Sequence, residues 1–323
     1  MALIPSDCST VIIAPLNWGL GHATRCIPII RQLIDNNIEV ILCGDGESLT
    51  LLQQEFPSLK SEVLASYNVK YHGTTLSSIL IRNGFKVLTA IIKEHRQARR
   101  LCKKYKPQLI ISDSRFGFRC PDIKSIIISH QLNIQCKQPW LKRLLNNFNT
   151  RILNAFDTCW VPDSKERTLS GALSLNPNVN NQKFIGPLSR MEKGKSNGQE
   201  YDFDTAIILS GPEPARTRLE RQLINHFLPS KANICLVRGT DKLPPLDNQV
   251  PAHWKTYSLA SSQIINDILL SSREIISRSG YTSIMDYSHL GISAKLIPTP
   301  GQVEQMYLAD FLHGKMGFTK WAG

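Results

Sequence analysis

The sequence predicts an α/β protein of two doubly wound units, each a parallel sheet with helices on both faces. Three observations carry this expectation. The chain has 323 residues, about twice the usual length of a single domain. Short, nearly continuous apolar runs alternate with longer helical patterns, as parallel strands buried on both faces require. One polar stretch, residues 191–199 (MEKGKSNGQ), interrupts the alternation and holds no Val, Ile, Leu or aromatic residue. It cannot add to a core and is the natural boundary.

The apolar, β-branched runs place strands of the first unit at 10–14, 38–43, 109–112, 125–129, 158–161 and 184–185. Those of the second fall at 205–209, 233–237, 255–258, 274–277 and 294–297. The expected division is a first domain over 1–190, a linker over 191–203 and a second domain over 204–323. A composition of 42% apolar and 20% charged residues excludes disordered, collagen-like and coiled-coil chains. No apolar run approaches the roughly 20 residues of a membrane span. The short apolar run at 11–16 lacks a preceding basic patch, so a secretory signal is not expected. Eight Cys are scattered without a C-x-x-C pair, which suits reduced thiols in a cytoplasmic protein.

Charge is unevenly placed. Residues 1–188 hold 23 Lys/Arg against 13 Asp/Glu, whereas residues 189–323 hold 15 against 13. The excess concentrates in 93–106, with seven basic residues and one acid, and in 137–151, with four basic residues and no acid. In the latter, Trp140, Leu141, Leu144, Leu145, Phe148 and Ile152 recur at helical spacing and form one apolar stripe. Such a helix either lies peripherally on an anionic membrane surface or packs into the core with a solvated basic face. No nucleic-acid partner is expected, because Tyr105 is the one aromatic residue within the 93–106 stretch and stacking platforms need more.

Doubly wound sheets bind ligands at the carboxyl ends of their strands, so the loops there are where chemistry is sought. After strand 10–14 comes Asn17-Trp18-Gly19-Leu20-Gly21-His22. Gly19 and Gly21 permit a tight turn, and His22 falls in the first turn of a helix. The positive helix end favours its neutral, proton-accepting form; the plainer alternative is a capping or packing histidine. Asp113, after strand 109–112, is either a second candidate base, given burial to raise its pKa, or a helix cap. After strand 274–277, Ser279 and Gly280 open a helix whose free N–H groups suit a phosphate. Asp286 lies two turns on, and Glu304 and Gln305 end the next loop. After strand 205–209, Gly211 to Arg216 reads on its own as a simple strand-to-helix turn. Asp202-Phe203-Asp204 imitates a metal-binding D-x-D but precedes a strand, so no metal is assigned to it.

The segment SRSGYTSIMDYSHLGISAKLIPTPGQVEQMYLA resembles the donor-binding signature of family 28 glycosyltransferases. That family includes the peptidoglycan N-acetylglucosaminyltransferase and the monogalactosyldiacylglycerol synthases. The resemblance implies the GT-B fold, two Rossmann-like domains facing a central cleft, with the acceptor on the first and a nucleotide sugar on the second. It implies that Arg278, Ser279 and Gly280 meet the diphosphate, that Asp286 holds the ribose, and that Gln305, with Glu304, touches the donor sugar. Gly19 to His22 is similar to the family's N-terminal Gly-Gly-His loop. His130, Gln131 and Asn133 resemble its H-E-Q-N acceptor segment, with Gln131 in place of Glu. The turn at 186–190, ending in Arg190, is similar to G-N-P-V-R, and Gly211 to Arg216 to the donor loop G-S-Q-G-A-R. Leu259 to Ser262 sit where backbone groups read the uracil. Beside this resemblance, the family's terminal crossover helix is expected to be missing after Phe318, and one crossover element of the second half to be missing or remodelled.

The activity expected on this basis is an inverting, metal-independent transfer from a nucleotide sugar, with uridine diphosphate as carrier, to a hydroxyl acceptor. No cofactor is called for. His22 or Asp113 is the base, and Arg190 or Arg216 joins the helix N-terminus in meeting the leaving group's charge. The basic first domain makes a lipid-linked acceptor on the inner face of a membrane the natural partner. Two alternatives stand beside it: a nucleotide-sugar 2-epimerase-like enzyme of the same fold, and a non-catalytic nucleotide-sugar-binding relative.

Overall fold

The computed structural model describes residues 8–67, 76–136, 138–194, 201–241, 246 and 250–322, with backbone alone over 76–86. The chain divides into two compact units, Met1–Ser189 and Arg190–Gly323.

The first unit runs β1 (Thr10–Pro15), α1 (Gly21–Asp35), β2 (Glu39–Gly44), α2 (Gly46–Glu55), β3 (Lys60–Val63) and α3 (Leu76–Tyr105). It continues β4 (Leu109–Asp113), β5 (Lys124–Ile128), α4 (Pro139–Leu153), β6 (Thr158–Val161) and β7 (Gln182–Phe184). Its seven strands are ordered β3-β2-β1-β4-β5-β6-β7 and pair in parallel throughout. β1 (TVIIAP) and β4 (LIISD) are buried at every position. Burial on both faces is what their unbroken apolar runs encode; each buried Ile or Leu contributes about 1.5–3 kcal/mol. Strand order reverses between β1 and β4, which makes their carboxyl ends the topological switch point.

The second unit runs β8 (Phe203–Ile208), α5 (Ala215–Phe227), β9 (Ile234–Val237), β10 (Lys255–Tyr257) and α6 (Ser262–Leu270). It ends with β11 (Ser272–Arg278), α7 (Tyr281–Leu290), β12 (Ala294–Ile297), α8 (Val303–Leu312) and β13 (Phe318–Lys320). Six parallel strands lie in the order β10-β9-β8-β11-β12-β13. The switch point falls between β8 and β11. Helix ends follow local signals: the Ser261 side chain caps α6 by accepting from the Ile264 N–H at 3.3 Å, and Gly291, at φ 72°, closes α7.

Each of the eleven expected strands corresponds to an observed one, although ends shift; the run placed at 184–185 is β7. Two strands escaped the sequence. β3 (KSEV) and β13 (FTK) are short, mostly polar strands at sheet edges, where no apolar alternation is needed. The expected linker 191–203 is not a free spacer at either end. Met191 is buried, Glu192 exchanges two backbone bonds with the Asn266 side chain at 3.0 and 3.1 Å, and Phe203 opens β8. Residues 195–200 lie outside the described residues. Between β9 and β10 no helix occurs among the described residues.

Helix α4 corrects the expected single stripe. Leu141 and Leu145 are buried with Ile134, whereas Trp140, Leu144 and Phe148 are 70%, 59% and 38% exposed. At 100° per residue the 140/144/148 row is a neighbouring face, and it stays outside the cluster that Leu141 and Leu145 form with Ile134.

Candidate active site

In the first unit the chemistry gathers at the β1/β4 switch point. The chain leaves β1 through Leu16, whose N–H bonds the Asp113 carbonyl at 2.9 Å, and turns at Gly19, whose φ of +86° favours glycine. His22 then enters the first turn of α1. Asp113 ends β4, fully buried, and Ser114 after it takes a left-handed φ of 58°, a strain typical of functional turns. His22 Nδ1 stands 2.8 Å from Asp113 Oδ1. Arg25, one turn along α1, forks the same carboxylate, Nε on Oδ2 and Nη2 on Oδ1. His130, just past β5, backs Arg25, with its Nδ1 3.4 Å from Nη1.

This arrangement decides protonation. Burial alone would raise the Asp113 pKa, but the charges of Arg25 and His22 outweigh it and hold the carboxyl well below its ordinary range. An ionised carboxylate only accepts, so the 2.8 Å contact is a hydrogen bond in the tautomer with its proton on Nδ1, which leaves the lone pair on Nε2; the other tautomer accepts from Arg25 Nη2 at 2.9 Å instead. Burial, followed by the Arg25 charge 2.9 Å from Nδ1, lowers the His22 pKa from 6.5, with Asp113 offsetting part of the drop. The imidazole is neutral at physiological pH and keeps 19% of its side chain exposed. It is a neutral imidazole with an open edge, as a base requires.

A second buried arginine fixes the frame. Arg115 bonds the Pro15 carbonyl at 2.9 Å, Glu94 at 2.8 Å and Asp45, tying the loops after β1, β2 and β4 to helix α3.

In the second unit the loops after β8, β11 and β12 converge. Arg278, the last residue of β11, is 3% exposed. It donates to the carbonyls of Pro298 (3.1 Å) and Ala215 (2.9 Å), and its Nε has no partner. No carboxylate among the described residues pairs with it, and burial pushes its pKa down to about 10. It remains a cation at neutral pH, buried without a counter-charge. Thr299 Oγ1 is likewise buried and unpartnered; it lies 3.9 Å from where a Cβ on Gly211 would stand. Ser279 Oγ donates to the Gln305 carbonyl at 2.8 Å, and Gln305 Oε1 accepts from the Thr299 N–H at 2.9 Å. Gly280 caps α7 without a side-chain bond, and a Cβ added there would meet nothing within 4 Å. The open space at Gly280 thus lies beside a buried cation that no described carboxylate compensates, a setting that suits an anion.

Comparison with known proteins comes to the same architecture. No protein-family model matches the chain. A curated protein of Methanosarcina acetivorans, named an uncharacterized glycosyltransferase, is 22% identical over 311 residues, covering 89% of this chain and 79% of the relative. Among solved structures, spinosyn rhamnosyltransferase SpnG complexed with thymidine diphosphate superposes with a TM-score of 0.65 at 14% identity, over 96% of this chain and 86% of that one. Arabidopsis thaliana UGT89C1 complexed with UDP-L-rhamnose gives 0.62 at 11% identity, over 97% and 85%. The fold is GT-B.

On this GT-B frame several expected roles are corrected. Asp113 is no helix cap, since it ends a strand. It is not a free base either, because Arg25 and His22 occupy its oxygens and lower its pKa. Arg216 is not a spare cation for a leaving group. Its guanidinium is buried against Glu213 (2.6 Å), Glu220 (2.8 Å) and the Arg238 carbonyl (3.1 Å), and Arg238 shares Glu220. Gln305 turns its amide oxygen onto its own loop. Arg190 donates to Ser262 in the first turn of α6 at 3.0 Å, beside the 259–262 segment. Asn133 holds the Ala172 carbonyl at 3.0 Å through its amide; nothing brings it to His22. Asp286 is buried in α7 and Glu304 lies in the first turn of α8. Asp204 accepts from the Asn233 N–H, and no group of three or more metal-ligating side chains occurs among the described residues. Sequence reasoning missed Arg25 as a site residue; its signal was the three-residue spacing from His22, one helical turn.

Proposed function

We propose that the chain is an inverting glycosyltransferase that moves a sugar from a uridine diphosphate sugar to a hydroxyl acceptor. The observation that carries this is the His22–Asp113–Arg25 cluster: a neutral imidazole held against a buried carboxylate at the switch point of a GT-B domain. The acceptor hydroxyl gives its proton to His22 Nε2 while its oxygen attacks the anomeric carbon. The bond from that carbon to the diphosphate oxygen breaks, and the nucleoside diphosphate leaves with the electron pair. One displacement inverts the centre. Asp113 stabilises the imidazolium that forms.

Acceptor activation is assigned to the first unit and donor binding to the second. There the α7 N-terminus at Ser279 and Gly280, with Arg278, meets the diphosphate, and Asp286 and Glu304 reach the sugar and ribose hydroxyls, in keeping with the family 28 resemblance. These donors take the charge that a metal carries in other transferases, so the reaction proceeds in EDTA. The carriers in the two solved relatives, thymidine and uridine diphosphates, support a pyrimidine nucleotide. The basic first unit favours a lipid-linked acceptor on the cytoplasmic face of a membrane.

Purified protein incubated with labelled nucleotide sugars and hydroxyl acceptors tests this, with product configuration read by NMR. His22→Ala is expected to lower turnover about 10²–10⁴-fold. Full activity in that variant removes the base, and turnover of donor without any acceptor points to epimerisation instead.

A further inference from the structure

The loop that follows β5 is pinned along its backbone by side-chain amides. Asn149, buried on α4, donates to the carbonyls of Gln131 and Leu132 at 2.9 and 3.3 Å. Asn176 reaches the Leu132 carbonyl at 2.8 Å. Asn146, also on α4, accepts from the Ile134 N–H at 2.7 Å and returns a bond to the Ile134 carbonyl at 3.0 Å. The Asn133 N–H meets the Leu173 carbonyl at 2.8 Å. These bonds satisfy the loop's backbone as a neighbouring strand would, so its path is set. At its start stands His130, 7% exposed.

His130 reaches the proposed base through Arg25. The Arg25 guanidinium lies side-on to Asp113, with Nε and Nη2 on the two carboxylate oxygens. That geometry turns Nη1 away from the carboxylate and toward His130 Nδ1, at 3.4 Å. A guanidinium only donates, so the contact is a hydrogen bond only when His130 keeps its lone pair on Nδ1 and its proton on Nε2. Arg25 Nη2 meanwhile stands 2.9 Å from His22 Nδ1. The four side chains form one run of contacts, His130–Arg25–Asp113–His22, drawn from the loop after β5, from α1 and from β4. The charged and titratable groups that act on His22 are Arg25 on its own helix, Asp113 on β4 and His130 after β5.

We propose that His130 is a positioning residue: its Nδ1 lone pair, presented by the asparagine-pinned loop, holds the Arg25 fork on Asp113 and so fixes the cation that stands beside His22. It acts through Arg25 and not on the reacting atoms. Loosening Arg25 takes a positive charge away from His22, and the His22 ring then titrates at higher pH. The inference rests on the reading of His22 as base, but the coupling is read from the imidazole without substrate, so a chain that transfers no sugar still tests it.

The test is NMR of the imidazole ring nitrogens in the full chain, as wild type, His130→Asn and His130→Leu. In wild type the neutral His130 ring is expected to carry its proton on Nε2; a proton on Nδ1 overturns the proposal, and this readout decides the matter should His130→Leu not fold. Asn sets an amide oxygen near the place of Nδ1, whereas Leu fills the space and accepts nothing. Both variants remove the His130 ring, so the difference between them isolates the accepted bond. The His22 midpoint is expected to stay near wild type in His130→Asn. It should rise by roughly 0.4–1 pH unit in His130→Leu, the equivalent of one lost hydrogen bond, and the acid limb of kcat/KM should move with it. A packing role predicts the opposite order, with Leu tolerated and Asn not. That order, or equal midpoints in the two variants, overturns the proposal. The expected tautomer and midpoints in a chain without turnover count against the transferase reading alone.

Discussion

Replacing Arg25 by Met separates the electrostatic account of the first-unit site from a merely steric one. Arg25 and Asp113 form a two-pronged pair with side chains 3% and 0% exposed, and Met keeps most of the apolar stem. Removing one partner of such a pair leaves a buried charge and costs about 3–5 kcal/mol. For a unit of this size each kcal/mol shifts the melting temperature by about 2–4 °C, so a fall of roughly 6–20 °C is expected in calorimetry. The pH dependence carries the sign. In wild type the folded Asp113 pKa lies below its ordinary 3.8, so its stabilisation is present above about pH 4 and fades below it. Without Arg25 the carboxyl titrates higher, and the stability gap between wild type and variant closes as pH falls below about 4. At the same time His22 loses the cation that lowers its pKa and keeps the carboxylate that raises it. The acid limb of the kcat/KM profile, below 6.5 in wild type, therefore moves to higher pH. Arg25→Lys, which cannot fork both oxygens, should fall between the two. A variant that melts with wild type, or an acid limb that stays in place, refutes the reasoning.

Three further outcomes follow from the second unit and are read by thermal shift and nucleotide titration. Arg278→Met should leave melting unchanged or raise it, because an unpaired buried cation is removed, while weakening uridine diphosphate binding about tenfold or more. Arg216→Met should do the reverse, lowering stability by about 1.5–3 kcal/mol because Glu220 keeps Arg238 but loses its second arginine, while changing nucleotide affinity far less. Gly280→Val should keep near-wild-type stability, since φ is −73° and the space is open, but should obstruct nucleotide; equal affinity would show that the ligand binds elsewhere.

The legible part of this protein was whatever a short window encodes. TVIIAP and LIISD announce buried parallel strands because each holds an unbroken apolar run, VIIA and LII. Topology then confines the search to the residues after them, and His22 and Arg278 were found in that way. Arg25 was not legible as a site residue, because its partner Asp113 lies 88 residues away on a strand whose neighbourhood only the β1/β4 pairing creates. The α4 stripe was visible as a pattern, but its division into a buried row and an exposed row depends on Ile134, which meets Leu141 and Leu145 only in the fold.

Arg216 and Arg278 show the limit most sharply. Each follows a strand of the second unit, each is buried, and by position alone each could meet a phosphate. What separates them is the carboxylates nearby. α5 continues from Arg216 with Glu220 one turn on, so helical geometry delivers a counter-charge. After Arg278 the helix reads YTSIMDYS, and its cation finds only carbonyl oxygens. A buried arginine held by two carbonyls keeps its full charge available, while one held by two carboxylates has spent it. The same rule governs the first unit, where Arg25 neutralises Asp113 and so leaves His22 an uncharged base. On the proposed reading, the distribution of counter-charges, more than the glycine turns, is what gives proton acceptance to one unit and anion binding to the other.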